Sequence, residues 1–224
     1  MTDNGGPATT YCYDHADRLT STTDARYGGI TYDAHGNTRT MGNEALAYDG
    51  ADRHVETKAG ATTVRYVRDA TDRIVERKVN GTTVARYGYS GPGDTPDFTM
   101  DGASAVVERS VGLLGGAILT KRAGGGDVWS YPNIHGDVMA TADGAGAKQG
   151  ATMSYDPHGQ ALGALPDNSA GNFDYGWLGR HQRGTEHEAG IATIEMGARQ
   201  YVPGLGRFLE VDPVEEATPT TTPT

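Results

Sequence analysis

Residues 49–64 read DGADRHVETKAGATTV and residues 69–84 read DATDRIVERKVNGTTV: Asp49, Asp52, Arg53, Val55, Glu56, Lys58, Thr62, Thr63 and Val64 all recur twenty residues later. A repeat of this kind constrains the fold more than any single motif, because each unit is one supersecondary piece that buries its face only against its neighbours. Its period is close to that of leucine-rich repeats, but no LxxLxL pattern accompanies it. Few windows keep apolar residues at i, i+3, i+4 and i+7 without an intervening glycine, so helices are not expected. Stacked β-hairpins are.

Looser copies surround the pair. YDHADRL spans Tyr13–Leu19, YDAHGNT spans Tyr32–Thr38, YDPHGQA spans Tyr155–Ala161, and YPNIHGDV at Tyr131–Val138 is a more distant relative. Each reads as a strand ending in a tight turn, where Asp or Asn bonds its own backbone and Gly takes positive φ. Asn80-Gly81, between β-prone flanks, is a strong hairpin signal. A two-residue turn there pairs Val79 with Thr82, Arg77 with Val84 and Val75 with Arg86 on one face. Lys78–Thr83, Glu76–Ala85 and Ile74–Tyr87 fall on the other. Neither face is cleanly apolar, which suits the wall of a hollow shell better than a sandwich layer with one apolar face.

Composition narrows the function classes. With a net charge of −10 and a pI near 5.1, the chain lacks the clustered cations that release counterions from a phosphate backbone, so nucleic acid is not expected as a partner. The N-terminus has no basic region followed by an apolar one, and no secretory signal is visible. The longest apolar run, Val111–Leu119, is broken by three glycines and is too short for a membrane span. The lone Cys12 cannot form an internal disulfide; it reads as a small, partly buried side chain. GAGAKQG at Gly144–Gly150 has Gln149 where a dinucleotide fingerprint needs glycine, and reads as a turn. Asn80-Gly81-Thr82 fits a glycosylation acceptor, but the hairpin turn accounts for it.

The YDxxG and YDxxDR units resemble the YD repeats of bacterial Rhs proteins, insecticidal toxin-complex C subunits and the teneurin-like shell. Residues 173–213, FDYGWLGRHQRGTEHEAGIATIEMGARQYVPGLGRFLEVDP, resemble the Rhs repeat-associated core, with Gly190, Ala198-Arg199, Tyr201, Pro203, Gly206-Arg207-Phe208 and Asp212-Pro213 in the expected order. The resemblance implies a long β-ribbon wound into a cocoon around a C-terminal toxin, with the core as a plug and a single-turnover aspartyl autoprotease that frees the toxin. It implies secretion or delivery to a cell surface. VEEATPTTTPT departs from the family's segment after Asp-Pro, and no toxin follows; the chain is expected to be the last part of such a shell, severed on both sides. The expected layout is all-β: YD-repeat shell at 1–170, an irregular core segment at 171–213, and a disordered Thr/Pro tail at 214–224. The upstream shell and the toxin domain are the expected partners, and unpaired edges favour association with another chain.

In the family one catalytic carboxylate comes from the Asp-Pro motif and one from an Asp four residues before the glycine aligned with Gly190. These places hold Asp212 and Glu186, with Glu188 as a rival; Arg199 and Arg207 are expected nearby to orient the segment. Two such carboxylates would share one proton, one acting as base and the other as acid. Glu for Asp moves the carboxyl by about 1.5 Å, an error on the scale that costs roughly 100-fold in rate. The plainer readings are a turn-forming Asp212 before Pro213, a solvated loop acid at Glu186 and arginines pinning loops. His187-Glu188 begins an HExxH-like string that ends in Ile191, so no zinc motif is completed, and neither a metal nor a cofactor is expected. An alternative function is a YD-repeat adhesion or carbohydrate-binding surface, with rows of tyrosines contacting sugar rings.

Overall fold

The computed structural model describes residues 8–169, 173–190 and 192–212. The Thr/Pro tail and Pro213 lie outside the described residues. Among the described residues every strand pairing is antiparallel, as the repeat implies, and only three short 3-10 turns interrupt the strands.

A short hairpin, β1 (Tyr11–Tyr13) and β2 (Leu19–Thr22), precedes one sheet of thirteen strands that follow each other in chain order. They are β3 (Thr31–Tyr32), β4 (Thr38–Met41), β5 (Glu44–Tyr48), β6 (His54–Ala59), β7 (Thr62–Arg68), β8 (Ile74–Val79), β9 (Thr82–Gly88), β10 (Phe98–Met100), β11 (Val106–Gly112), β12 (Ile118–Arg122), β13 (Val128–Pro132), β14 (Val138–Ala142) and β15 (Lys148–Gln149). The segment from 173 onward, expected to be irregular, carries a second sheet of very short strands joined by turns. Its members are β16 (Phe173–Asp174), β17 (Thr185–Glu186), β18 (Thr193–Met196), β19 (Arg199–Val202) and β20 (Arg207–Phe208).

One turn, reused, makes the meander. At Asp49 the Oδ1 accepts from the Ala51 and Arg53 amides, the Asp49 amide donates to Arg53 O, and Asp52 takes φ +59°. The same backbone pattern closes at Asp14, Asp33, Asp69, Asp101, Asn133, Asp143 and Asp156, with Asp17, Gly36, Asp72, Ser104, Gly136, Gly146 and Gly159 in the positive-φ place. The tyrosine before the Asp ties the turn to the sheet: the hydroxyls of Tyr32, Tyr48 and Tyr155 donate to the carbonyls of Leu19, Thr38 and Val138. These rings therefore serve the shell rather than standing as an open row.

The Asn80 hairpin keeps Val79 opposite Thr82 and Lys78 opposite Thr83, but Arg77 then pairs with Ala85, not Val84, and Glu76 with Arg86. A bulge has absorbed one residue, and a one-residue slip exchanges the faces. Another at Val75 puts Ile74 and Arg77 on the inward face, and its counterpart at Val55 does so for His54 and Thr57. The positions the repeat keeps identical are mostly turn and outer residues. The inward ones change, from His54 and Thr57 to Ile74 and Arg77.

The second sheet fills the inward face. Val202 and Leu209 pack with Tyr27, Met41 and Leu46, while Phe173 joins Val64, Tyr66, Ile74, Ala85 and Tyr87. Farther along, Val138 N donates to Gly176 O at 2.9 Å. Thirteen strands laid flat would span roughly 60 Å at about 4.8 Å spacing, yet one segment of the second sheet reaches both β5 and β14. The large sheet must curl around it.

Candidate functional site

Glu186 sits on β17, paired with Phe173 of β16, and its side chain is buried. Arg77 grips it with two bonds, Nε to Oε2 at 2.6 Å and Nη2 to Oε1 at 2.8 Å. Tyr66 Oη donates to Oε2 at 2.9 Å and the Glu188 amide to Oε1 at 2.9 Å. Glu186 is thus no solvated loop acid. Above the pair, Phe173 stacks between Tyr66 and Tyr87, centroids 6.1 and 5.5 Å away, with the Arg77 guanidinium 5.6 Å from its ring. Burial works against the Arg77 charge, but bonding to Glu186 outweighs it and holds the guanidinium above its ordinary value. Burial first, and then Glu186, push the Tyr66 hydroxyl well up.

Asp212 lies in a different setting. Its side chain is 56% exposed and lies 3.3 Å from Arg199 Nη1, and the Arg199 guanidinium covers the Phe208 ring at 4.0 Å. The structure brings Asp212 and Arg199 together, whereas Glu186 is bonded by Arg77, Tyr66 and the Glu188 amide. Glu188, the rival acid, contributes its backbone amide to Glu186. Arg207 is elsewhere: Nη2 donates to Asp17 O at 2.5 Å and the guanidinium lies over Tyr13, so it pins the N-terminal hairpin rather than the Asp212 segment. That segment is instead held from the large sheet, by Thr38 N to Leu209 O at 2.8 Å and Val211 N to Asn37 Oδ1 at 3.3 Å.

His187 Nε2 meets Asp174 Oδ2 at 2.9 Å, which raises the imidazole pKa. Among the described residues no group of three or more His, Cys, Asp or Glu is placed to hold a metal.

A cluster that the sequence reading did not single out lies under β18 and β19. Glu195 stands opposite Gln200, and Gln200 Nε2 donates to Glu195 Oε2. Gln200 N donates to Glu210 Oε2 at 2.9 Å. Arg68, its side chain 1% exposed, bonds both oxygens of Glu195 at 3.2 Å and the Gly197 carbonyl at 2.9 Å. Burial pushes Glu195 up to about 7, with Arg68 pulling the other way. It pushes Glu210 up to about 8, opposed by the Gln200 amide and reinforced by Glu195. Nothing in TIEM or FLEV announces this: the acids become partners only because a hairpin sets β18 beside β19 and the chain after β20 returns beneath them.

No protein-family model matches the chain. A Bacillus spizizenii protein, the tRNA3(Ser)-specific nuclease WapA, is 27% identical over 187 residues, which is 82% of this chain and 8% of that protein. Among solved structures, TcdB2-TccC3 without its hypervariable C-terminal region is similar over 92% of this chain at 18% identity and a TM-score of 0.52. TcdB2-TccC3-Cdc42 is similar over 92% at 17% identity and a TM-score of 0.53. The chain spans 12% of each of those chains. The curled antiparallel ribbon with an inward second sheet is thus a fold that this chain has in common with a stretch of the TcdB2-TccC3 assemblies.

Proposed function

We propose that this chain is the closing portion of an Rhs/YD-repeat toxin shell, in which the thirteen-stranded sheet is wall and the segment 173–212 is the plug. One observation carries the reading: the second sheet is fastened across the inward face of the first by the buried Arg77–Glu186 pair. A plug that has to stay in place needs such an anchor, and a free-standing binding module does not. The similarity to TccC3, a protein with a hypervariable C-terminal region, and to a named nuclease supports a wall that encloses variable cargo. For the adhesion alternative, the hydroxyls of Tyr32, Tyr48 and Tyr155 are already taken by backbone carbonyls, and Tyr13 and Tyr131 are the YD-unit rings left exposed among the described residues.

Self-cleavage beyond residue 212 is the finer part of this proposal. Asp212 is the acid open to a scissile segment, with Arg199 beside it. Glu186 would become its partner only in a form where its bonds to Arg77 and Tyr66 are exchanged. The test adds a family-type cleavage segment and a reporter domain after Pro213 and follows reporter release on a gel. Loss in Asp212→Asn and in Glu186→Gln, with near-parent circular dichroism, supports the pair; undiminished release in both removes it. No release from the parent leaves a purely structural plug.

A further inference from the structure

The Glu195–Gln200–Glu210 cluster has two acids and one close cation. Arg68 bonds both oxygens of Glu195, whereas Glu210 Oε2 receives the Gln200 amide, with its own amide and the more distant Arg68 favouring the charge only after burial has opposed it, and Glu210 Oε1 has no donor among the described residues. Gln200 Oε1 also lacks a donor among the described residues. A buried carboxylate oxygen with no donor is costly, and a proton placed on it removes the charge and supplies a donor where acceptors are in excess. The remaining groups do not change this. Arg183 and Asp94, themselves bonded at 2.5 Å, act on Glu195 with opposite signs. Tyr66, Tyr89 and Tyr48 face the acids as neutral hydroxyls. His54 offers its carbonyl to Arg68 and stays uncharged.

Glu210 also lies between the attachments of the last segment. Leu209 N donates to Gln200 O at 2.9 Å, Thr38 N to Leu209 O at 2.8 Å, and Val211 N to Asn37 Oδ1 at 3.3 Å. We propose that Glu210 is carried as the neutral acid in the closed plug and that its ionisation opens the edge from Gln200 to Val211, so that the segment leading to Asp212 is held at acid and neutral pH and released in mild base. This proton latch concerns closure of the sheet alone, and it stands or falls apart from cleavage.

Amide hydrogen exchange, resolved by NMR on the full chain at pH 6–9 and corrected for intrinsic exchange, reads the opening. Protection of Gln200, Leu209, Val211 and Thr38 should fall by about tenfold per pH unit once Glu210 ionises in the open form and not in the closed one. Amides between β7 and β8 should stay level. Glu210→Gln should hold the four amides closed throughout, and Glu195→Gln should keep the pH response. Level protection in the parent from pH 6 to 9, or the same loss in Glu210→Gln, overturns the latch. If Glu210→Gln does not fold, carboxyl carbon shifts of the parent decide: titration of Glu210 above neutrality supports the latch, and titration near an ordinary carboxylate value overturns it.

Discussion

Arg77 binds both carboxylate oxygens of Glu186, a residue 109 positions away, and neither side chain is more than 2% exposed. The preceding repeat carries Thr57 at the place of Arg77. Between these two repeats the turn residues are kept while the inward side chains change, from His54 and Thr57 to Ile74 and Arg77.

Removing one partner of that pair leaves a buried charge uncompensated, which costs about 3–5 kcal/mol. Arg77→Met and Glu186→Gln should each lose about that much in urea denaturation, because each leaves the other partner's charge buried without its counterion. The double variant Arg77→Leu/Glu186→Leu should recover most of the loss, since a buried pair replaced by apolar groups is often neutral. Additive losses in the double variant would mean that the pair is not coupled.

The turns make a second contrast. Asp69 accepts from the Thr71 and Arg73 amides and from the Thr71 and Arg73 side chains; burial raises its pKa, but these bonds outweigh it and hold the carboxyl at about 2. Asp17 sits at φ +55° in the corresponding turn at Asp14. Asp69→Ala should cost about 1–3 kcal/mol through lost bonds and unsatisfied amides. Asp17→Gly should stay within about 0.5 kcal/mol, because relief of the left-handed backbone offsets the entropy of glycine. Thermal melts of the two variants decide it.

How far these features could be read from the sequence follows from which interactions are local. The turn is a five-residue device whose Asp, Gly and Tyr all act within it or on the adjoining strand, so a lone sequence displays it. The copies at Asp101 and Asp143 escaped because no tyrosine precedes them. The bulges at Val75 and Val84 leave no comparable mark, and they decide that Arg77 points inward. Glu186 was legible as a candidate only through the family pattern, and its partner lies on β8, 109 residues earlier in the chain. The Glu195–Glu210 cluster depends on three segments meeting, which no spacing encodes. Glycine at 159 was legible as a turn residue, but not as the floor beneath Trp177.

That floor is testable. A Cβ on Gly159 would stand 2.4 Å from Trp177 Cδ2, at φ +91°. Trp177 in turn stacks on Tyr201 with centroids 5.6 Å apart. Gly60 has φ +58° and open space around its Cα. Gly60→Ala should cost the backbone strain alone, about 1–2 kcal/mol. Gly159→Ala adds overpacking of about 1–3 kcal/mol and should red-shift or broaden tryptophan fluorescence relative to the parent, as Trp177 is pushed from its packing toward water. Equal losses with an unchanged spectrum would show that Trp177 yields freely.

The pH profile of stability separates His54 from the acids. His54 is fully buried, with Nε2–H donating to Glu56 O at 3.0 Å, and burial, then Arg68, push its pKa down to about 3. The unfolded chain takes up a proton near pH 6.5 and the folded chain only near 3, so His54 removes stability as pH falls through that window. Glu195 and Glu210 have the opposite sign. Their folded values of about 7 and about 8 lie above the unfolded value near 4.5, so they remove stability as pH rises from about 4.5 to 8. From pH 6.5 to 4.5 the acids' gain outweighs the loss at His54, and stability should rise modestly toward acid. Below 4.5 the acids are protonated in both states, leaving His54 and the low-pKa aspartates such as Asp69 to destabilise the fold. Denaturation at pH 6.5, 4.5 and 3.5 should therefore show a maximum near 4.5–5. In His54→Gln the fall between pH 4.5 and 3.5 should be shallower by about 1.4 kcal/mol per pH unit, the value of one proton. The same slope in parent and variant would mean that His54 titrates in the folded chain as it does in the unfolded one.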